Sequence, residues 1–123
     1  MKIAFFDSGV GGLTVLSEAL RQLPYEEYIY YADTDNAPYG VKSSALVKNL
    51  VLKAAENLAG TGINALVVAC NTATSIAVND LRKKYSFPII GMEPAVKPAV
   101  ELNGCKKRIL VAATELTLKE YRF

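Results

Sequence analysis

Cys70 stands where an apolar, partly β-branched run, Leu66-Val67-Val68-Ala69, stops and Asn71-Thr72-Ala73-Thr74 opens a helix-like pattern. A thiol at such a junction meets a helix N-terminus, whose free backbone N–H groups and partial positive charge favour a thiolate and attract carboxylates. Cysteines placed this way act as bases or nucleophiles near neutral pH. The plainer reading is a small cysteine buried as a hydrophobe. A second group of interest is Asp7-Ser8, a carboxylate and a hydroxyl that leave the apolar run Lys2-Ile3-Ala4-Phe5-Phe6 and lead into Gly9-Val10-Gly11-Gly12. These glycines either let the backbone approach a small ligand or simply make a tight turn. They are not a phosphate loop, which needs Gly-Lys-Ser or Gly-Lys-Thr. Thr14 also stands where the dinucleotide fingerprint needs its last glycine.

The chain has no histidine, which excludes Ser-His-Asp and Cys-His catalysis within it and weakens any zinc proposal. Its two cysteines, Cys70 and Cys105, lie far apart, and no metal site is expected. Asp33, Asp35 and Asn36 have the spacing that opens a calcium loop, but the downstream Gly and Glu are missing. A turn in which Asp and Asn bond their own backbone is expected instead. Pro38-Tyr39-Gly40 places an aromatic between two backbone-restricting residues and reads as a rigid pocket wall. Glu93 is read as a helix cap ahead of Pro94, with binding of a substrate ammonium as the other option. Cys105, between Gly104 and Lys106-Lys107-Arg108, reads as a connector residue.

A length of 123 residues suits one domain, and 51% hydrophobic with 21% charged residues is ordinary globular composition. A net charge of +2 gives no basis for nucleic-acid or membrane attraction. The basic clusters Arg82-Lys83-Lys84 and Lys106-Lys107-Arg108 each precede an apolar run and read as solvated helix ends or strand entries. No apolar segment approaches the roughly 18 residues of a membrane span, and no signal peptide precedes the first strand pattern. Free thiols in a reducing cytoplasm are expected.

The elements that must position these groups alternate. Strand patterns fall at residues 2–6, 28–32, 65–69, 87–90 and 108–113. Between them, Leu13, Leu16, Leu20 and Leu23 mark one helix before Pro24. Leu46, Leu50, Ala54 and Leu58 mark another, started near Ser43 or Ser44 and ended by Gly60. Ile76, Leu81 and Tyr85 lie on a third, Pro94 opens a fourth, and Thr114 begins a fifth. Alternation with continuous apolar strands predicts an α/β fold: an open parallel five-stranded sheet with helices on both faces, a flavodoxin-like or Rossmann-like three-layer sandwich. With strand order 2-1-3-4-5, the order reverses between strands one and three, so Asp7 and Ser8 are expected beside Cys70, at the carboxyl edge where ligands bind.

Asp7-Ser8-Gly9-Val10-Gly11-Gly12-Leu13-Thr14-Val15, Pro38-Tyr39-Gly40, Val68-Ala69-Cys70-Asn71-Thr72-Ala73-Thr74 and Gly91-Met92-Glu93-Pro94-Ala95 together resemble the signature blocks of glutamate racemases, in order and over essentially the whole chain. The resemblance implies cofactor-independent interconversion of L- and D-glutamate for peptidoglycan, by thiol acid/base chemistry. It implies Cys70 as a catalytic acid/base, assisted by Asp7. It further implies Asp7, Ser8, Pro38, Tyr39, Gly40, Asn71 and Thr72 as substrate contacts, with Thr114 and Thr117 near another. Members have two pseudo-symmetric α/β domains, each giving one cysteine. Residues 1–123 are accordingly expected to form a single domain corresponding to the first, without the second. Cys105 matches no catalytic block. A homodimer opposing two Cys70 thiols is one way to complete such a site, and a non-catalytic glutamate-binding half-domain is the alternative function. A flavodoxin-like binder of a mononucleotide is permitted by fold alone and lacks a phosphate motif.

Overall fold

The computed structural model describes residues 1–103 and 107–120; Cys105 lies outside them. The elements in order are β1 (Lys2–Asp7), α1 (Leu13–Gln22), β2 (Glu27–Ala32), two 3₁₀ turns (Thr34–Asn36 and Tyr39–Val41), α2 (Ser44–Ala59), β3 (Ala65–Val68), α3 (Asn71–Lys84), β4 (Ile89–Gly91), α4 (Val96–Asn103) and α5 (Glu115–Lys119). The sheet is parallel, in the order β2-β1-β3-β4. The alternation, the parallel pairing and the reversal beside β1 are as the sequence predicts. Four strands replace the expected five.

The fifth, at 108–113, forms no strand and pairs with none of the four. Its would-be neighbour β4 has only three residues, with Ile90 half exposed on the open edge. Ile109, Leu110, Val111 and Ala112 instead line a cavity with Pro94, Val96 and Ala99. The run therefore passes beside the start of α4 without pairing with β4, and Leu110 stays 96% exposed. That helix begins at Val96, with Pro94 outside it.

Strand alternation builds two cores. Ala4, Phe6, Leu66 and Val68 face α2 and α3, meeting Val47, Val51, Leu58, Ala77, Val78 and Leu81. Ile3, Phe5, Ala65 and Val67 face the opposite way, toward Val15, Leu16 and Ala19 of α1. Burying each large side chain of this kind contributes about 2 kcal/mol. The helix faces follow the leucine patterns only in part: α2 buries Ala54 and Leu58 with Val47 and Val51 but exposes Leu46, and α1 packs Leu16 while Leu13, Leu20 and Leu23 are nearly half exposed. Ser43 caps α2, its Oγ accepting the Leu46 N–H at 3.3 Å. Among the described residues, no helix is long and apolar enough to cross a membrane.

The sheet's ladder continues past the strand ends into the loops. Asp33 N–H donates to Asp7 O, Ala69 N–H to Phe6 O and Met92 N–H to Val68 O, at 2.8–3.0 Å. Thr74, only 1% exposed, reinforces the last of these: its Oγ1 donates to Val68 O at 3.0 Å and accepts Met92 N–H at 3.2 Å. Gly91 makes room for it, since a Cβ there would stand 2.6 Å from Thr74 Cγ2 and 3.1 Å from Val78 Cγ2. Gly91→Ala is therefore expected to destabilise the fold by about 1–3 kcal/mol through overpacking, with Thr74→Ser in the same background recovering part of the loss. Urea unfolding of the parent chain and the two variants checks both statements.

Candidate functional site

The loops leaving β1, β3 and β4 at the carboxyl edge of the sheet meet at a groove of about 370 Å³ bordered by Asp7, Gly12, Thr14, Cys70, Asn71 and Glu93. Cys70 forms its floor. It is 8% exposed and belongs to the larger core, so the thiol is both buried and turned to the groove. Cys70 is also the N-cap of α3: its backbone is extended and its Sγ accepts the Ala73 N–H at 3.4 Å. Its carbonyl takes the Thr74 N–H at 2.9 Å. The N–H groups of Asn71 and Thr72 remain at the open end of the helix, where a carboxylate is favoured. Ser8 Oγ lies 3.4 Å from the sulfur, a contact across two adjacent strands.

Asp7, 6% exposed, ends β1 with its carboxylate held from the far side. Oδ2 accepts the Gly12 N–H at 2.8 Å and lies 3.4 Å from the Tyr30 hydroxyl, which also donates to Gly9 O at 3.0 Å. A Cβ on Gly12 would meet Ala69 Cβ at 2.8 Å and Tyr30 Oη at 3.0 Å, so that glycine is required by close approach. Burial, and then the neighbouring Asp7 charge, push the Tyr30 phenol up from its ordinary range. No motif marks Tyr30 in the sequence, but strand alternation does: β2 pairs it with Phe5, which puts its ring on the α1 face.

The Pro38-Tyr39-Gly40 turn is built differently from a pocket wall. The Ala37–Pro38 peptide is cis and Pro38 is exposed. Tyr39 is 2% exposed, its ring packed on Phe6 at 6.3 Å between centroids and its hydroxyl donating to Asp33 Oδ2 at 2.6 Å. Asp33 Oδ1 accepts the Asn36 side-chain amide at 2.8 Å. The expected turn at Asp33 does form, with Asn36 N–H on Asp33 O, but the Asp33 carboxylate serves side chains rather than its own backbone. Gly40 abuts Thr114, whose hydroxyl lies within 3.1 Å of both Thr72 and Thr117. Thr117 is 2% exposed. Glu93, read as a cap, stands on the groove wall ahead of Val96.

These elements match a known family. The chain belongs to the Asp/Glu/Hydantoin racemase family, whose model matches residues 11–123. Among its relatives, "Glutamate racemase 2" of Bacillus subtilis (strain 168) is 64% identical over 126 residues, covering 100% of this chain and 47% of the relative. The crystal structure of glutamate racemase from Campylobacter jejuni superposes with a TM-score of 0.86 at 41% identity, over 97% of this chain and 48% of that one. Escherichia coli glutamate racemase, solved in complex with L-glutamate, gives a TM-score of 0.79 at 41% identity, over 82% of this chain and 38% of that one. The chain thus spans about half the length of the curated relatives it matches.

Burial first, and then the hydrogen bond and charge of Asp33, push the Tyr39 phenol far above its ordinary range. The folded state holds that proton more tightly than the unfolded chain. The corresponding stability is complete below the ordinary phenol pKa of about 10 and is lost as pH climbs above it. Tyr39→Phe is expected to lose about 1–2 kcal/mol at neutral pH, because Asp33 loses a donor, and to show a shallower alkaline decline. Urea midpoints at neutral pH and above about pH 10 measure both; an equally steep decline in the variant assigns the titration to other groups.

Proposed function

We propose that this chain supplies the first-domain half of the site of a cofactor-independent glutamate racemase, with Cys70 as the base and acid that moves the α-proton on one face of glutamate. The observation that carries this reading is the placement of Cys70. Its sulfur faces a groove, receives a helix N–H from Ala73 and touches Ser8 Oγ, while Asp7 borders the same groove. The glutamate racemases among its relatives and the L-glutamate complex of the Escherichia coli protein support the substrate.

Removing an amino acid's α-proton needs a base held on one face and donors for the charge that develops on the carboxylate. In this reading the Cys70 thiolate takes the proton, and the Ala73 N–H supports charge on the sulfur. The Asn71 and Thr72 N–H groups receive the α-carboxylate, and Ser8 holds the polar end of the substrate near the thiol. Asp7, fixed by the Gly12 N–H, lies where it can assist proton movement or receive the substrate ammonium. Delivery of a proton to the opposite face needs a second acid, which in this reading a second domain supplies.

Proton abstraction and racemisation therefore separate experimentally. In deuterated buffer the chain is expected to exchange the α-hydrogen of one glutamate enantiomer faster than it produces the other. Cys70→Ala is expected to lower that exchange at least about 100-fold, the scale of a general base. Proton NMR of the α-resonance reads exchange, and chiral chromatography reads inversion. Exchange that persists undiminished in Cys70→Ala removes the thiol from the mechanism.

A further inference from the structure

The hydroxyls of Thr72, Thr114 and Thr117 form a closed triangle with sides of 3.1 Å (72 to 114), 3.0 Å (72 to 117) and 2.9 Å (114 to 117). Each hydroxyl has one proton to donate and can accept. Three of them satisfy one another in a ring, each donating once and accepting once. Thr114 Oγ1 also accepts the Thr117 N–H at 3.2 Å and so caps α5. Thr72 is 5% and Thr117 2% exposed, so most of the ring is away from water, where an unmade hydrogen bond is most costly. Thr114 is pinned a second way. A Cβ on Gly40 would stand 2.7 Å from its Cγ2 and 2.8 Å from its Cβ. The ring therefore joins the first turn of α3, the turn at Gly40 and the start of α5.

We infer that Thr117 is a positioning residue, whose buried hydroxyl closes a three-threonine ring that fixes the first turn of α3, beside Cys70, against the turn at Gly40. Thr117 is the buried residue of the five-residue helix α5, where the ring acts beside the apolar contact that the partly buried Leu116 makes with the larger core. All three hydroxyl protons are used inside the ring. A ligand carboxylate that reached Thr72 Oγ1 would draw a proton out of the ring, and Thr117 then holds Thr72 in place rather than touching the ligand. The inference rests on the proposed function only in treating Asn71 and Thr72 as carboxylate-binding groups; the ring's geometry does not depend on it.

Thr117→Val keeps the shape and removes the hydroxyl, whereas Thr117→Ser keeps the hydroxyl. In the isotope-labelled chain, Thr117→Val is expected to shift the backbone amide signals of Thr72 and Gly40 and to speed exchange of the residue-117 amide about tenfold. Thr117→Ser is expected to restore both. Unchanged Thr72 and Gly40 signals in Thr117→Val, or failure of serine to restore them, overturn the inference. If Thr117→Val does not fold, Thr114→Val opens the ring from its exposed corner and must shift the same two signals, or the inference falls. Titration with L-glutamate separates the two claims. Thr117→Val is expected to weaken binding about tenfold and Thr117→Ser less than twofold. A parent chain that shows the signal coupling but binds no glutamate keeps the ring and removes the functional reading. Unaltered binding in Thr117→Val overturns the positioning role alone.

Discussion

The junction between β3 and α3 constrains everything around it. β3 is buried along its whole length, so it must end within the protein, and the helix that follows must find acceptors for its first N–H groups. Side-chain oxygens of Ser, Thr, Asp or Asn usually fill that place. Here a sulfur does, at 3.4 Å from the Ala73 nitrogen. Sulfur is a weak acceptor, so capping strength alone would favour serine at this position. What the thiol brings instead is an ionisable group at the positive end of a helix, in a site with 8% exposure. The junction thus gives up some capping strength and sets a thiol at the point where the sheet opens to the groove.

Parallel pairing then decides what surrounds the sulfur. Because all four strands run the same way, their exits lie side by side. The bonds from Asp33 to Asp7, Ala69 to Phe6 and Met92 to Val68 extend that alignment into the loops. Ser8 reaches Cys70 through this alignment, although 62 residues separate them. Asp7 is steadied by Gly12, whose lack of a side chain lets α1 start hard against Ala69 and Tyr30.

Much of this is legible from the chain itself, because parallel strands buried on both faces read as continuous apolar runs and helix starts carry recognisable caps. Ser43 before α2 and Cys70 before α3 are both visible that way. What local patterning misses is decided by tertiary partners. The run at 108–113 has strand-like residues, yet it passes beside Pro94 and α4 without pairing with the three-residue β4. The leucines of α1 and α2 mark helices correctly, yet only some of them, Leu16 and Leu58, pack toward the sheet, beside valines and alanines such as Val15, Ala19, Val47 and Val51. Tyr39 reads as a wall because its neighbours are Pro and Gly; only the fold shows Asp33 waiting for its hydroxyl. Thr72 and Thr117 are 45 residues apart, and no spacing rule links them.

The polar groups near the sheet's carboxyl edge fall into two sets, and their arrangement carries the chemical argument. One set is closed on itself. Asp33 binds Tyr39 and Asn36, the three threonine hydroxyls bind one another, and Thr74 binds both Val68 and Met92. The other set lies at the groove: the Cys70 sulfur borders it, Ser8 Oγ stands 3.4 Å from that sulfur, and Asn71 opens α3 beside it. Closed networks in a low-dielectric setting are stiff, since breaking any one bond leaves a partner unsatisfied. They frame the open groups on two sides, through Thr72 at the start of α3 and Thr74 one turn into it. A donor or base held by such a frame needs little reorganisation when charge develops beside it, which is the condition under which hydrogen bonds stabilise a transition state more than they stabilise the bound substrate.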